Sequence, residues 1–163
     1  YNAFESAAEI IQNLALLGPD GYAKLSTDFN TCSPMKDEKD LSILLSDLMG
    51  NVQGTIQYNN EHSGVMNVTD ICGYMTNANA DAYSNFVSLS AAYRAANQQT
   101  CEDANWADTI ASLKAEGAGR SWTYQTCNEF GYFQTTDSKN QPFHSWTWLN
   151  LDFYRALCAE AFD

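Results

Sequence analysis

Apolar residues recur at intervals of three and four along most of this chain, which is the spacing of amphipathic helices rather than of strands. Phe4, Ala7, Ala8, Ile11, Leu14 and Ala15 line one face of a first helix, which Gly18-Pro19-Asp20-Gly21 is expected to stop. Tyr22, Leu25 and Phe29 predict a short second helix ending before Cys32-Ser33-Pro34. Ser33 as N-cap, with Pro34 at the first helical position, predicts the start of a third. Its buried stripe is Leu41, Leu44, Leu45, Leu48 and Val52, and Gly50 and Gly54 predict a bend or stop toward its far end. The polar stretch 57–64 reads as loop. Val65, Val68, Ile71, Cys72 and Met75 form the next stripe. Ala82, Phe86, Leu89, Tyr93 and Ala96 form another, running to about Gln98. Trp106, Ile110 and Leu113 make a shorter one, closed by Gly117 and Gly119. Each stripe reads first as core packing.

Past Arg120 the texture changes. Ser121 to Gln134 crowds aromatics among small polar residues, 135–142 is a polar loop, and Phe143 to Trp148 is aromatic again. Asn150 is expected to cap a final helix that turns Tyr154, Leu157, Cys158, Ala161 and Phe162 inward. The fold class is mainly α, a bundle of short helices up to Gly119, with a boundary near Gly117–Arg120.

A chain of 163 residues holds one domain, or one domain plus part of a second. With 45% apolar and 17% charged residues it is not an extended disordered tail. Eight Lys+Arg against 20 Asp+Glu give a formal charge of -12, which repels nucleic acid and anionic lipid. No apolar run approaches the ~20 residues of a membrane span. Tyr1 opens directly in helical pattern, as expected of a mature form or an excised piece. Cys32, Cys72, Cys101, Cys127 and Cys158 lie far apart with no CxxC, so disulfides in an oxidising compartment fit better than a metal site. Five is odd: one thiol is free, joins another chain, or pairs outside this segment. Asn67-Val68-Thr69 is a glycosylation sequon that agrees with secretion.

A complete active site is not legible. No G-x-S-x-G elbow occurs, and Gly119-Arg120-Ser121-Trp122 has the wrong spacing for one. His62 reads as a solvated loop residue and His144 as a structural or surface one. Neither is placed to serve a cysteine nucleophile. Glu129 and Asp137 are available as paired carboxylates, but sequence sets no distance between them. No phosphate-cradling glycine loop, metal cluster or cofactor motif appears.

Trp122-x-Tyr124-Gln125-Thr126-Cys127-x-Glu129-Phe130-Gly131-x-Phe133-Gln134-Thr135-Thr136, followed by Gln141-Pro142-Phe143, carries a resemblance. It resembles the serine-peptidase family of prolyl carboxypeptidase, dipeptidyl peptidase II and thymus-specific serine peptidase, with Asn128 in place of the more usual Thr. Leu25, Phe29, Cys32, Pro34, Gln57-Tyr58-Asn59, Cys72 and Cys101-x-Asp103 follow the same order with looser spacing. The resemblance implies the helical cap of an α/β-hydrolase, residues 1–120, and a return into the hydrolase domain, residues 121–163. The Ser-Asp-His triad would lie outside the segment, in the remainder of the same chain. It further implies pairing of Cys32 with Cys101 and of Cys127 with Cys158, Cys72 pairing upstream of Tyr1, and cleavage next to proline in small peptides.

Glu129 and Asp137 are then candidates to receive a peptide's amino group, against the alternatives of a buried hydrogen-bonded acid and a solvated loop residue. Trp122, Tyr124 and Phe130 are candidates to line a proline pocket, against ordinary core packing. The expected location is extracellular or lysosomal, with no cofactor, no metal, no nucleic-acid partner, and homo-oligomerisation left open. Two other classes compete: a catalytically inactive relative serving as a secreted scaffold or binding protein, and an independent secreted helical protein binding a small apolar ligand. The first differs only in the flanking elbow and triad; the second requires a self-contained disulfide set.

Overall fold

The computed structural model describes residues 1–61 and 65–162. Its elements are α1 (Asn2–Ala15), α2 (Pro19–Asp28), α3 (Glu38–Gln57), α4 (Val68–Met75), α5 (Ala82–Ala96), α6 (Trp106–Lys114), α7 (Ala118–Gln125), a π turn (Thr126–Phe130) and α8 (Leu151–Phe162). Among the described residues no strand forms, only an isolated bridge between Thr31 and Glu102. The fold is mainly α, as the periodicity predicts.

The first helix buries Ala7, Ala8, Ile11 and Ala15 and packs against α5 and α2. Pro19 opens α2 at once, because its missing N–H costs nothing at a first helical position. Gly21 therefore lies inside α2, not in a linker. A Cβ there would stand 1.8 Å from the Leu14 carbonyl oxygen. Gly21→Ala is expected to destabilise by about 1–3 kcal/mol through forced separation of α1 and α2. Gly50→Ala, whose Cβ would meet nothing within 4 Å, is expected to leave stability unchanged or raise it by up to ~1 kcal/mol. Thermal unfolding midpoints of the two variants check the contrast.

Helix α3 corrects two expectations. It starts at Glu38, not at Pro34, because the Asp37 carboxylate accepts the amides of Lys39 (2.9 Å) and Asp40 (3.1 Å). An ionised cap suits these bare N–H groups better than the Ser33 hydroxyl. Residues 33–36 are meanwhile held outside the helix. Cys32 donates its amide to the Glu102 carbonyl, Met35 N donates to Ser26 Oγ (3.0 Å), and Lys36 N donates to Asp40 Oδ2 (3.0 Å). Nor does α3 stop at Gly50 or Gly54. Burial of Leu41, Leu44, Leu45, Leu48, Met49 and Val52 outweighs the ~1 kcal/mol of propensity each glycine loses.

Gln57 is the last residue of α3, and Tyr58–Glu61 form turns. His62 and the rest of that predicted loop lie outside the described residues. Of the next stripe only Ile71 and Met75 are buried, while Val65 and Cys72 are exposed, since α4 begins only at Val68. Asn67 and Asp70 cap it reciprocally. Ala96 likewise faces solvent at the end of α5. Gly117 and Gly119 do not lead into a loop; Gly117 caps α7 and Gly119 lies within it. Asn150 Oδ1 accepts the Phe153 amide (3.1 Å), so α8 begins where expected.

The core is aromatic at one end. Phe86 on α5 meets Phe4, Phe29, Phe143 and Trp146, with ring centroids 5.6–6.4 Å apart. Trp146 is wholly buried and its indole N–H donates to the Ala8 carbonyl (3.0 Å). The loop 136–149 is thereby pinned to α1. At the other end α8 packs against α6 and α7, with Phe153 edge-on to Trp106.

Candidate functional site

The segment that carries the sequence resemblance becomes α7, the π turn and an irregular run to Thr135. Helix α7 buries none of its residues. The π turn ends at Gly131, whose φ of +60° favours glycine, and Tyr132 N donates back to the Thr126 carbonyl (3.2 Å). Turns of this kind gather at functional sites because they re-aim the side chains that follow. Cys127 in the turn is bonded to Cys158 in α8, and Cys32 to Cys101, matching both expected pairs. In the chain-entropy model loops of these lengths contribute roughly 4 kcal/mol each.

Core packing is not what these aromatics do. Trp122 is 60% exposed, Tyr124 40%, Phe130 62% and Tyr132 54%. Trp122 and Tyr132 join Leu113, Thr126, Phe133 and Tyr154 around an open hollow of about 240 Å³. Phe133 stacks on Tyr154, whose hydroxyl donates to the Gln134 carbonyl (2.9 Å). Burial pushes the Tyr154 phenol up to about 12. Tyr124 stands apart from the hollow, edge-on to Phe162 at 5.5 Å. Glu129 and Asp137 are both exposed, and neither lines it. Glu129 is thus not the buried acid that formed its alternative reading.

An adjoining hollow of about 190 Å³ shares Thr109, Leu113, Tyr154 and Leu157 with the first, and adds Asp47 and Asp103. Sequence reasoning missed these two acids. The available signal was Asp47 standing between Leu45 and Leu48, inside the leucine stripe of α3. Burial, followed by the negative charges of Glu102 and Asp103, pushes the Asp47 carboxyl up to about 7. The native state therefore keeps a proton on Asp47 through the window from about 4 to 7, where the unfolded chain has lost it. Stability from this group is fullest below its ordinary value of 3.8 and is lost as pH rises toward 7. Asp47→Asn is expected to remove that slope and to stabilise the protein at pH 7.5 by roughly 2–3 kcal/mol. Unfolding of both proteins at pH 4.5, 6 and 7.5 checks it.

Behind this hollow Glu102 is buried with Arg94, Nη1 to Oε2 at 2.9 Å. Ser90 Oγ donates to the same oxygen (3.0 Å) and Asn51 Nδ2 to the other (3.2 Å). This is a structural ion pair, sealed from solvent. His144 faces Glu5 across 3.0 Å, tying loop to α1, as a structural role requires. Among the described residues no group of His, Cys, Asp or Glu is arranged to hold a metal, and no helix is long and apolar enough to cross a membrane. Among the described residues no nucleophile–base pair is assembled; what the arrangement offers is an aromatic hollow suited to binding.

The sequence model of the serine carboxypeptidase S28 family matches residues 1–163. The chain belongs to the serine carboxypeptidase S28 family. Its S28 relatives include the thymus-specific serine protease of Mus musculus, 28% identical over 98% of this chain and 33% of that protein. The Homo sapiens protein of the same name is 28% identical over 77% of this chain and 27% of its own length. The chain thus spans a third or less of these S28 relatives. No solved structure matches it.

Proposed function

We propose that this S28 segment roofs the active site of a serine exopeptidase that cleaves next to proline in small peptides. Residues 1–120 are the helical cap and 121–163 the return into an α/β-hydrolase domain. The nucleophile, acid and base are supplied by the remainder of the same chain. The observation that carries the reading is the S28 match across the whole segment, 1–163. The exposed aromatic run adds support: Trp122, Phe130 and Tyr132 are all solvated, and Trp122 and Tyr132 line one hollow, suited to the hydrolase domain and to a prolyl side chain.

In this reading Trp122 and Tyr124 contact substrate, and Glu129 and Asp137 offer carboxylates to its amino group. Packed helices over the entrance admit chain ends and exclude folded proteins. Cys72, exposed on α4, pairs with a cysteine outside the segment. Asn67 caps α4 with its oxygen, and its Nδ2 donates to none of the described residues, which leaves it open to a glycan. Two disulfides and a charge of -12 suit an extracellular or lysosomal setting.

The test uses the full-length protein. A serine-reactive phosphonate is expected to label it stoichiometrically and to abolish turnover of short proline-containing peptides with free ends. Absence of labelling would assign the chain instead to an inactive relative acting as a scaffold. Labelling with equal turnover of internally blocked, proline-free substrates would remove the exopeptidase and proline specificity.

A further inference from the structure

Two hollows flank one seam. Helices α6 and α8 pack side by side, and four residues along their contact line both the aromatic hollow and the adjoining one: Thr109 and Leu113 from α6, Tyr154 and Leu157 from α8. The same side chains thus form a wall between the two spaces. Its two sides differ in character. Trp122, Tyr132 and Phe133 line the first hollow, whereas Ser46, Asp47, Asp103 and Ser112 bring hydroxyls and carboxyls to the second.

The four members of the wall are not equally fixed. Thr109 Oγ1 donates to the Asn105 carbonyl one turn back (2.9 Å). Tyr154 is held at both ends, its ring stacked on Phe133 at 5.4 Å and its hydroxyl donating to the Gln134 carbonyl (2.9 Å). Leu157 precedes Cys158, whose disulfide to Cys127 ties that stretch of α8 to the π turn. Leu113 has no such tie. It sits half-buried in the last turn of α6, packs on the core by apolar contact, and is followed by the exposed residues 114–119. A substrate side chain reaching past the aromatic hollow must displace this leucine. Rejection by such a clash discriminates more sharply than the loss of one apolar contact.

We infer that Leu113 is a specificity-determining residue, which closes the aromatic hollow at the α6–α8 seam and so limits it to side chains of about the size of proline. The inference rests on the proposed role of this hollow as the subsite for a prolyl side chain, and adds what keeps bulkier residues out. Truncating Leu113 joins the two hollows, and the space gained lies beside Ser46, Asp47 and Ser112. A tyrosyl side chain then gains more than a phenylalanyl one, since its hydroxyl finds partners where a bare ring desolvates polar groups.

The experiment measures kcat/KM of the full-length enzyme on one short peptide carrying Pro, Phe or Tyr beside the scissile bond. The wild type is expected to favour Pro over the other two by about a hundredfold. Leu113→Ala is expected to raise Phe about tenfold relative to Pro, and Tyr further. Leu113→Phe, which fills the hollow, is expected to cut turnover of the prolyl peptide about tenfold through KM. Trp122→Ala tests the subsite itself and is expected to slow the prolyl peptide about tenfold. If Trp122→Ala does so but both Leu113 variants keep the wild-type ratios, the subsite stands and the wall is refuted. If none of the three variants changes any peptide, the hollow is not the prolyl subsite and both readings fall. Equal gains for Phe and Tyr in Leu113→Ala would mean a loosened hollow rather than a breached wall, and a wild type that accepts all three peptides alike would need no wall; either overturns the inference. Should Leu113→Ala not fold, Leu113→Phe decides, because it keeps an apolar cover on the core.

Discussion

Arg94→Met is expected to destabilise the protein by about 3–5 kcal/mol, because it strands the Glu102 carboxylate in a site 3% exposed. Ser90 and Asn51 remain as donors, but neither carries charge. The cost lies in the orphaned partner more than in the lost attraction. The double variant Arg94→Met/Glu102→Leu should therefore recover most of the loss, since an apolar pair of similar volume replaces a buried ion pair at little cost. Chemical unfolding of the single and double variants distinguishes this from simple loss of packing. Equal destabilisation of the two would show that shape, not charge, dominates at this position. The effect should spread to the Cys32–Cys101 bridge, because Glu102 follows Cys101 and its amide donates to the Asn30 carbonyl (3.0 Å).

Trp146→Ala is expected to cost a similar 3–5 kcal/mol. The indole is wholly buried, stacks on Phe143 and Phe86, and donates to the Ala8 carbonyl. It is the largest fully buried side chain among the described residues, so its loss leaves the largest space to refill. Trp146→Phe keeps the ring contacts without the hydrogen bond and should cost about half as much. The alanine variant should also release the loop 136–149 and make its exposed tip, 137–140, the first site of limited proteolysis. Unfolding midpoints and cleavage mapping read the two effects separately. Cleavage elsewhere first would mean that the loop is held by Thr136 and Gln141, which bond its own backbone, without help from the core.

Much of the fold was legible because helices repeat and cap themselves locally. Phe86 and Leu89, Trp106 and Ile110, and the Leu41–Val52 stripe lie inward as their spacing demands, and Asn150 caps α8. The candidate site was legible as composition, through a run too aromatic for a surface helix, and not as geometry. Trp122 reaches the hollow while Tyr124 turns toward Phe162, although only Thr123 separates them in sequence. Asp47 and Asp103 escaped notice because a carboxylate in a helix or loop looks solvated until the elements packed around it are known.

The order of most helices, most of their inward faces and the resemblance to the family were determined by sequence alone, since each depends on residues near one another along it or on a contiguous motif; α7 and the exposed Val65, Cys72 and Ala96 were not. Competing local signals were settled only in three dimensions. Ser33-Pro34 lost its helix start to Asp37 because long-range bonds from Glu102 and Ser26 hold the preceding residues elsewhere. Gly50 and Gly54 stayed helical because partners cover the opposite face. The charge state of Asp47 belongs likewise to the assembled molecule: burial and two distant acids set it, and dielectric and distance do not exist until the chain has packed.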